Sequence, residues 1–237
     1  AVVLRVNSPG GSAYASEQIW KAVKDLKKKK PVIVSMGDYA ASGGYYISSA
    51  ADTILATPTT LTGSIGIFGM YPNTKEITQK IGIHIGSVKT NQFSDFGVIG
   101  RGLDKEEQAL MQAHVNRGYD LFLARCAEGR KTTPNEIHKV AEGRVWTGEM
   151  AKELNLVDNL GGLEAAIQLA AEKAEIDAYT LMSYPEKESL LTTLLKSSNS
   201  SVIKAIIKQE PLFQIYNPIH LINHLKSGNL LQARLPL

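Results

Sequence analysis

The sequence predicts an α/β fold built on a parallel sheet, and two observations support this. Short apolar runs such as Ala1–Val6 and Pro31–Val34 show almost no polar alternation, which is typical of strands buried on both faces. Each run is followed by a glycine-containing turn and then a helical pattern, an order that favours parallel strands joined by helices. A chain of 237 residues is long enough for one such domain with an appendage.

The predicted elements follow in chain order from local patterns. The first helix has apolar residues at helical spacing, from Ile19 to Leu26. The longest helix begins with a capping-box pattern, Asp104 followed by Glu107. The predicted strands are Ala1–Val6, Val32–Ser35, Asp52–Ala56, Ile83–Val88 and Tyr179–Ser183; the predicted helices are Ser12–Lys30, Ser42–Ser49, Asn73–Lys80, Asp104–Gly129, Pro134–Ala141 and Leu163–Glu175.

The pattern of apolar residues changes beyond Pro185. Pairs of apolar residues at helical spacing follow, separated by a serine-rich loop. We therefore predict two domains, residues 1–184 and a helical C-terminal extension, residues 185–237. The extension could contact a membrane surface, but packing on its own domain or on a neighbouring subunit is favoured.

Composition excludes several classes of function. The net charge is only +3, which gives no case for a nucleic-acid partner, and the Lys27–Lys30 run suits the solvated end of a helix. Cys126 is the sole cysteine, so an intrachain disulfide is excluded, and its helical context favours a buried small residue over a nucleophile. His220 and His224 lack a third ligand, so no metal is expected.

The sequence has no signal peptide and no transmembrane helix. Its longest uncharged run, Thr53–Thr74, is interrupted by prolines and glycines. The first residue already lies in a predicted strand, so we expect a fragment or a processed chain.

The segment Gly37–Ser48 places Ser42 where a strand turns into a helix. Backbone N–H groups and the positive end of the helix dipole would then point at whatever Ser42 attacks. Gly43 and Gly44 keep the space above the hydroxyl free of side chains. For this segment alone, a helix-capping serine is the favoured interpretation.

Two further segments bear on Ser42. The turn Asn7–Ser12 lacks the glycine spacing of a phosphate cradle, but Gly10 and Gly11 could bring backbone N–H groups close to a carbonyl, as an oxyanion hole requires. In the stretch Leu61–Gly69, the hydroxyl of Ser64 could either serve the site or bond to the loop backbone.

Together these three segments resemble the signal peptide peptidase A (protease IV) family of serine peptidases. A fourth segment, from Gly143 to Gly162, matches a stretch near the end of that family's core. The resemblance runs from Ala1 to about Ala174 and is closest to the C-terminal half of the long, two-repeat form.

The resemblance implies a ClpP/crotonase-like fold and a Ser–Lys dyad. Ser42 would be the nucleophile, Gly10 or Gly11 together with Gly43 the oxyanion donors, and Ser64 would hold the catalytic lysine. No metal or organic cofactor is implied. Trp146 and Asp158 are given structural roles only.

The chain departs from the family pattern at the lysine. In the loop Asn91–Gly102, Ser94 stands where the family's single-repeat members and N-terminal halves carry the base. We therefore expect the lysine outside this chain, in the N-terminal half of the same protein. Lys75, Lys80 and Lys89 are within chain reach but lack the family context.

The resemblance further implies substrates and a location. These are cleaved signal peptides or other unfolded peptides, met by a homo-oligomer on the periplasmic side of the bacterial inner membrane. Two alternatives remain open at this stage. One is an inert half-site or scaffold domain; the other is a crotonase-type acyl-CoA hydratase or isomerase, for which Asp38 is the nearby carboxylate.

Overall fold

The computed structural model describes residues 1–185, of which residues 1–179 form one compact unit. The predicted helical extension and the pair His220 and His224 lie outside the described residues. The strands are β1 (Val2–Ser8), β2 (Val32–Ala41), β3 (Thr53–Ala56), β4 (Leu61–Gly63), β5 (Val145–Thr147) and β6 (Asn159–Leu160); the helices are α1 (Ala13–Lys27), α2 (Gly43–Ser48), α3 (Lys75–Lys80), α4 (Lys105–Arg130), α5 (Pro134–Val140), α6 (Gly148–Glu153) and α7 (Leu163–Lys173).

Strand β2 is the centre of a six-stranded, mostly parallel sheet. One edge of β2 pairs with β1 along most of its length. The other edge pairs first with β3, through Ile33–Ser35, and then with β4, through Tyr39–Ala41. Strand β6 continues the sheet beyond β3 in parallel, whereas β5 joins β4 antiparallel. The predicted α/β class is therefore confirmed.

Local capping signals in the sequence are realised in the structure. Ser12 accepts a hydrogen bond from the N–H of Ala15 at 3.3 Å and so caps α1. Asp104 and Glu107 form the predicted capping box at the start of α4. These bonds satisfy N–H groups that the first turn of a helix leaves unpaired.

The main core forms where helices α1 and α2 pack on β2 and α4 packs against α2. Val32, Val34 and Met36 are fully buried, and they share one cluster with Trp20 and Tyr45. Cys126 is also fully buried in this cluster, which confirms the prediction of a small core residue. The packing holds the end of β2, and therefore the turn after it, on a rigid base.

Two predicted strands are wrong. Residues 83–88 and 179–183 have no strand structure, and Ile83, Ile85 and Val88 are 50%, 52% and 99% exposed. An apolar run becomes a strand only when a neighbouring strand accepts its backbone hydrogen bonds, and neither run has such a neighbour among residues 1–185.

Part of the sheet could not be predicted from the sequence. Strand β2 was expected to end at Ser35 but continues to Ala41, because its second half pairs with β4. Strands β4 and β5 have only three residues each and are about 80 positions apart in the chain, so neither carries a local pattern.

No helix within residues 1–185 has both the length and the apolar character that a bilayer crossing requires.

Candidate active site

Ser42 lies between the end of β2 and the start of α2, as the sequence predicts. Its backbone has φ of 52° and ψ of −117°, a conformation that costs a non-glycine residue of order 1–3 kcal/mol. The turn is held from both sides, because the N–H of Ser42 donates to Gly63 O at 2.9 Å and Ser42 O accepts from Tyr46 N–H at 2.9 Å. One non-local bond and one bond of the first helical turn therefore hold a strained serine in place.

The side chain of Ser42 does not cap its helix. Ser42 occupies the N-cap position of α2, but its hydroxyl makes no capping hydrogen bond. The capping interpretation, favoured for this segment alone, therefore does not describe the hydroxyl. Within residues 1–185 the hydroxyl of Ser42 has no hydrogen-bond partner, and it is therefore available for other chemistry.

Two tyrosines of helix α2 bind it to the rest of the domain. Tyr45 is fully buried and donates to Leu156 O at 2.9 Å. Tyr46 donates to Glu17 at 2.5 Å, and Arg125 donates to the same carboxylate at 2.5 and 3.2 Å. Burial opposes ionisation of Glu17, but the bonds from Arg125 and Tyr46 prevail and hold its pKa below the ordinary value. These contacts fix the helix that carries Ser42.

The glycine turn after β1 packs directly against Ser42. A β-carbon added at Gly10, where φ is +110°, would lie 2.7 Å from the β-carbon of Ser42 and 2.9 Å from the nitrogen of Gly43. One added at Gly43 would lie 3.2 Å from the nitrogen of Gly11. One added at Gly44 would lie 2.7 Å from Ser8 O. The two turns approach closely only because these positions have no side chain.

The N–H groups beside Ser42 differ in availability. Gly10 donates to the hydroxyl of Ser8 at 3.2 Å. Within residues 1–185, no hydrogen bond engages the N–H of Gly11 or of Gly43. Of the two glycines that the sequence left open, Gly11 therefore has the free donor.

Ser64 is the second serine of the site. It is half-buried with φ of +48°, and its N–H donates to Arg144 O at 2.7 Å. Like Ser42, it is held in a strained conformation by a non-local hydrogen bond, here between the residue after β4 and the residue before β5.

Ser42 and Ser64 line one cleft of about 760 Å³. Gly11 lines its wall beside Ser42. The rest of the lining comes mainly from residues after β4 and from the middle of α4. Its apolar contributors are Ile67, Phe68, Val115 and Tyr119, and its amides are Gln112 and Asn116. A cleft of this volume, lined by both apolar and amide side chains, can accept a segment of peptide chain.

No lysine of residues 1–185 lines the cleft. Lys75 and Lys80 are exposed on α3, and Lys89 forms an ion pair with Asp95 at 2.7 Å. The loop position of Ser94 is likewise exposed, and its hydroxyl donates to Asn91 O. The part of the chain that the structure describes thus places a serine and free N–H groups in the cleft without an ammonium group.

Three other titratable residues named from the sequence, Asp38, Cys126 and Asp158, do not line the cleft. Asp38 is exposed on β2 and does not line it. Burial raises the pKa of the Cys126 thiol well above its usual range. Asp158 accepts hydrogen bonds from Ile54 N–H at 2.7 Å and from Arg130 at 2.7 and 3.0 Å. Within residues 1–185, no three His, Cys, Asp or Glu side chains form a group that could hold a metal.

Sequence reasoning missed several residues at this site. Tyr119 and Glu142 line the cleft, but no sequence motif marks either of them. The pair Glu17 and Arg125 lies 108 positions apart in the chain. Only the folded chain brings such residues together, so no local pattern could have revealed them.

A strained serine at a strand-to-helix turn, beside free backbone N–H groups in a peptide-sized cleft, is the arrangement of a serine hydrolase. Comparison with known proteins specifies the class further. Residues 24–177 match the model of peptidase family S49. The chain belongs to this family of serine peptidases, and its curled sheet of parallel strands with helices is consistent with the family's ClpP-like fold.

Several curated relatives are similar to most of this chain. The "Protease 4" of Salmonella typhi is 44% identical over 203 residues, which are 85% of this chain and 33% of the relative. The chloroplastic "Serine protease SPPA" of Arabidopsis thaliana is 38% identical over 207 residues, 86% of this chain and 31% of the relative. A "Putative signal peptide peptidase SppA" of Enterococcus faecium is 35% identical over 184 residues, 77% of this chain and 54% of the relative. The chain therefore spans about a third of the first two relatives and about half of the third.

Proposed function

We propose that this chain carries the nucleophile half of a serine peptidase site that hydrolyses peptide bonds by acyl transfer. The observation that carries the proposal is the free hydroxyl of strained Ser42 beside the N–H groups of Gly11 and Gly43. A nucleophile and two donors are the parts that such a reaction needs from the protein, apart from a base.

The reaction proceeds in two steps. The oxygen of Ser42 attacks the carbonyl carbon while a neutral lysine takes its proton, and the resulting oxyanion accepts hydrogen bonds from Gly11 and Gly43. Collapse of the intermediate breaks the peptide bond and returns the proton to the leaving amine. Water then attacks the ester at Ser42 and releases the second product. Each oxyanion donor contributes about 3–4 kcal/mol to such a transition state.

The lysine comes from outside this chain, from an N-terminal half of the same protein. Two observations support this part of the proposal: residues 1–185 place no lysine in the cleft, and Ser94 stands where the family resemblance leads us to expect the base. Ser64 lines the same cleft as Ser42, and in this proposal its hydroxyl orients the incoming lysine. Burial in the closed site lowers the pKa of the base so that it is neutral when it acts.

The substrates are peptides in extended form, such as cleaved signal peptides and other unfolded segments. The size and mixed apolar and amide lining of the cleft support this class. The name of the Enterococcus faecium relative points the same way. The parent protein acts as a homo-oligomer at the bacterial inner membrane, with this domain on the periplasmic side.

The test is hydrolysis of a mixed library of fluorogenic peptides by three proteins. They are this chain, a form extended at its N-terminus, and the extended form with Ser42→Ala. We expect turnover in the extended form, none in Ser42→Ala, and little in this chain alone. Activity of this chain alone would instead place the base within it, and mutation of Lys75, Lys80 and Lys89 would identify the residue. Equal turnover in Ser42→Ala would overturn the proposal. If none of the three proteins hydrolysed any peptide, the scaffold interpretation would be favoured.

A further inference from the structure

Within residues 1–185, the cleft contains one carboxylate, that of Glu142, which has no part in the proposed reaction. Glu142 lines the cleft, and its side chain is 60% exposed. Among the cleft residues within residues 1–185, it is the single side chain with a formal charge at neutral pH. The remaining lining consists of hydroxyl, amide, apolar and glycine residues. A peptide in this cleft therefore meets one ionic group, and that group is negative.

Backbone hydrogen bonds hold the turn that contains Glu142 close to Ser64 and Ile65. Gly143 donates to Ile65 O at 3.0 Å, and Ser64 donates to Arg144 O at 2.7 Å. These two bonds tie the turn that contains Glu142 to the residues at and after Ser64. Glu142 itself has φ of +60°, a left-handed conformation that a glutamate adopts only when its surroundings enforce it.

Two cationic or titratable groups lie near the carboxylate but outside the cleft. Arg144 approaches Glu142 at 3.3 Å, and it also donates to the backbone oxygens of Ala141 and His138 at 2.8 and 3.3 Å. The Nε2 atom of His138 lies 3.8 Å from Glu142. Neither side chain lines the cleft. They reduce the field of the carboxylate, but a carboxylate has several acceptor positions and keeps some free for a ligand.

We infer that Glu142 determines specificity: it favours peptides with a lysine or arginine side chain at the position that reaches its carboxylate, and it disfavours acidic side chains there. The inference rests on the proposed function, in that the ligand is a peptide bound across Ser42. The size of the effect follows from exposure. An exposed ion pair changes an equilibrium by about 1.5- to 5-fold.

The test measures binding, so that it does not depend on turnover. Labelled decapeptides that differ only in Lys, Gln or Glu at one scanned position are titrated into the extended form with Ser42→Ala, and the dissociation constants are compared by fluorescence anisotropy. We expect one position at which the Lys peptide binds about three- to fivefold more tightly than the Glu peptide. Added salt should reduce this ratio, because the carboxylate is exposed.

Substitution then assigns the effect to a residue. Glu142→Gln should bring the ratio close to one, and Glu142→Lys should invert it. Glu136→Gln is the matched control, because Glu136 is exposed on α5 outside the cleft, and it should leave the ratio unchanged. The inference is overturned if no position discriminates Lys from Glu, if no peptide binds, or if the ratio survives Glu142→Gln. If the Ser42→Ala form discriminates Lys from Glu peptides but the extended form with Ser42 hydrolyses no peptide, the inference stands and only the proposed hydrolysis is rejected.

Discussion

Gly10 lies directly against Ser42: a β-carbon at Gly10 would come within 2.7 Å of the β-carbon of Ser42. Real side chains essentially never approach so closely, so the turn after β1 and the turn after β2 fit only with glycine at this position. The contact joins the candidate nucleophile to the candidate oxyanion donors, and so it determines the geometry of the whole site.

Gly10→Ala should therefore impair hydrolysis. The new methyl group would displace Ser42 or Gly43, and φ of +110° is strained for alanine. A displacement of about 1 Å at a catalytic site costs on the order of 100-fold in rate. We expect a loss of about that size in kcat/KM, measured with a fluorogenic peptide on the form of the protein that is active. Gly86→Ala is the control, since an added β-carbon there meets nothing within 4 Å. Normal activity of Gly10→Ala would show that the close contact is not required.

Ser42→Gly should stabilise the protein while it abolishes hydrolysis. Glycine adopts φ of 52° without strain, which removes a cost of about 1–3 kcal/mol. Its greater freedom in the unfolded chain returns about 0.5–1 kcal/mol of that gain. The free energy of unfolding should therefore rise by about 1 kcal/mol in urea titrations. Ser42→Ala is the matched control, because it loses the same hydroxyl but keeps the strain. Equal stability of the two variants would argue against strain at Ser42.

The positions of these residues show what the sequence could predict. Ser42 was placed at the strand-to-helix turn because an apolar run, a glycine pair and a helical pattern are all local signals. The sequence could not predict that the N–H of Gly11, and not that of Gly10, is the free donor. The N–H of Gly10 donates to the hydroxyl of Ser8, and this hydrogen bond exists only in the folded turn. The nearness of Glu142 to Ile65 depends on pairing between β4 and β5.

Local signals also misled at residues 83–88 and 179–183. Both segments contain apolar residues that suit a strand, but residues 1–185 contain no partner strand for either. Strand formation depends on a neighbour and therefore on the whole fold, whereas a capped helix such as α4 depends mainly on its own residues. This difference explains why the helices were predicted better than the strands.

Arg101 should control the stability of the protein in acid. It bonds to Glu107 at 2.6 Å through both terminal nitrogens and to Asp95 at 2.8 Å. Hydrogen bonds from Arg101 lower the pKa of Glu107 to about 2 and hold that of Asp95 well below its usual range. Because the folded pKa values are depressed, the stabilisation is complete above the ordinary values of 4.5 and 3.8 and is lost as pH falls towards about 2.

Urea titrations at neutral pH and near pH 3 would measure this effect. The unmodified protein should lose stability between the two, and Arg101→Ala should be less stable at neutral pH with a weaker loss on acidification. Arg117→Ala, an exposed arginine of α4, is the control. If Arg101→Ala kept the pH dependence of the unmodified protein, the assignment to this network would be wrong.

Asp158 should matter for stability and not for catalysis. Its carboxylate bonds to Arg130, whose side chain is only 6% exposed, and to the N–H of Ile54 in β3. Asp158→Ala would leave Arg130 without its partner, which we expect to cost about 3 kcal/mol of unfolding free energy. Activity per folded molecule should stay within about twofold, because Asp158 does not line the cleft. Asp177→Ala, at an exposed position, should change neither quantity. A loss of kcat at full stability would contradict this assignment.

The most direct test of the central claim is to identify the residue that a peptidyl fluorophosphonate modifies in a preparation that hydrolyses peptides. Intact mass and peptide mapping would locate the adduct. We predict one adduct per chain, on Ser42, that is absent from Ser42→Ala and weak in Gly10→Ala. An adduct on Ser64 or elsewhere, an adduct that persists in Ser42→Ala, or no adduct in an active preparation would contradict the assignment of Ser42 as the nucleophile.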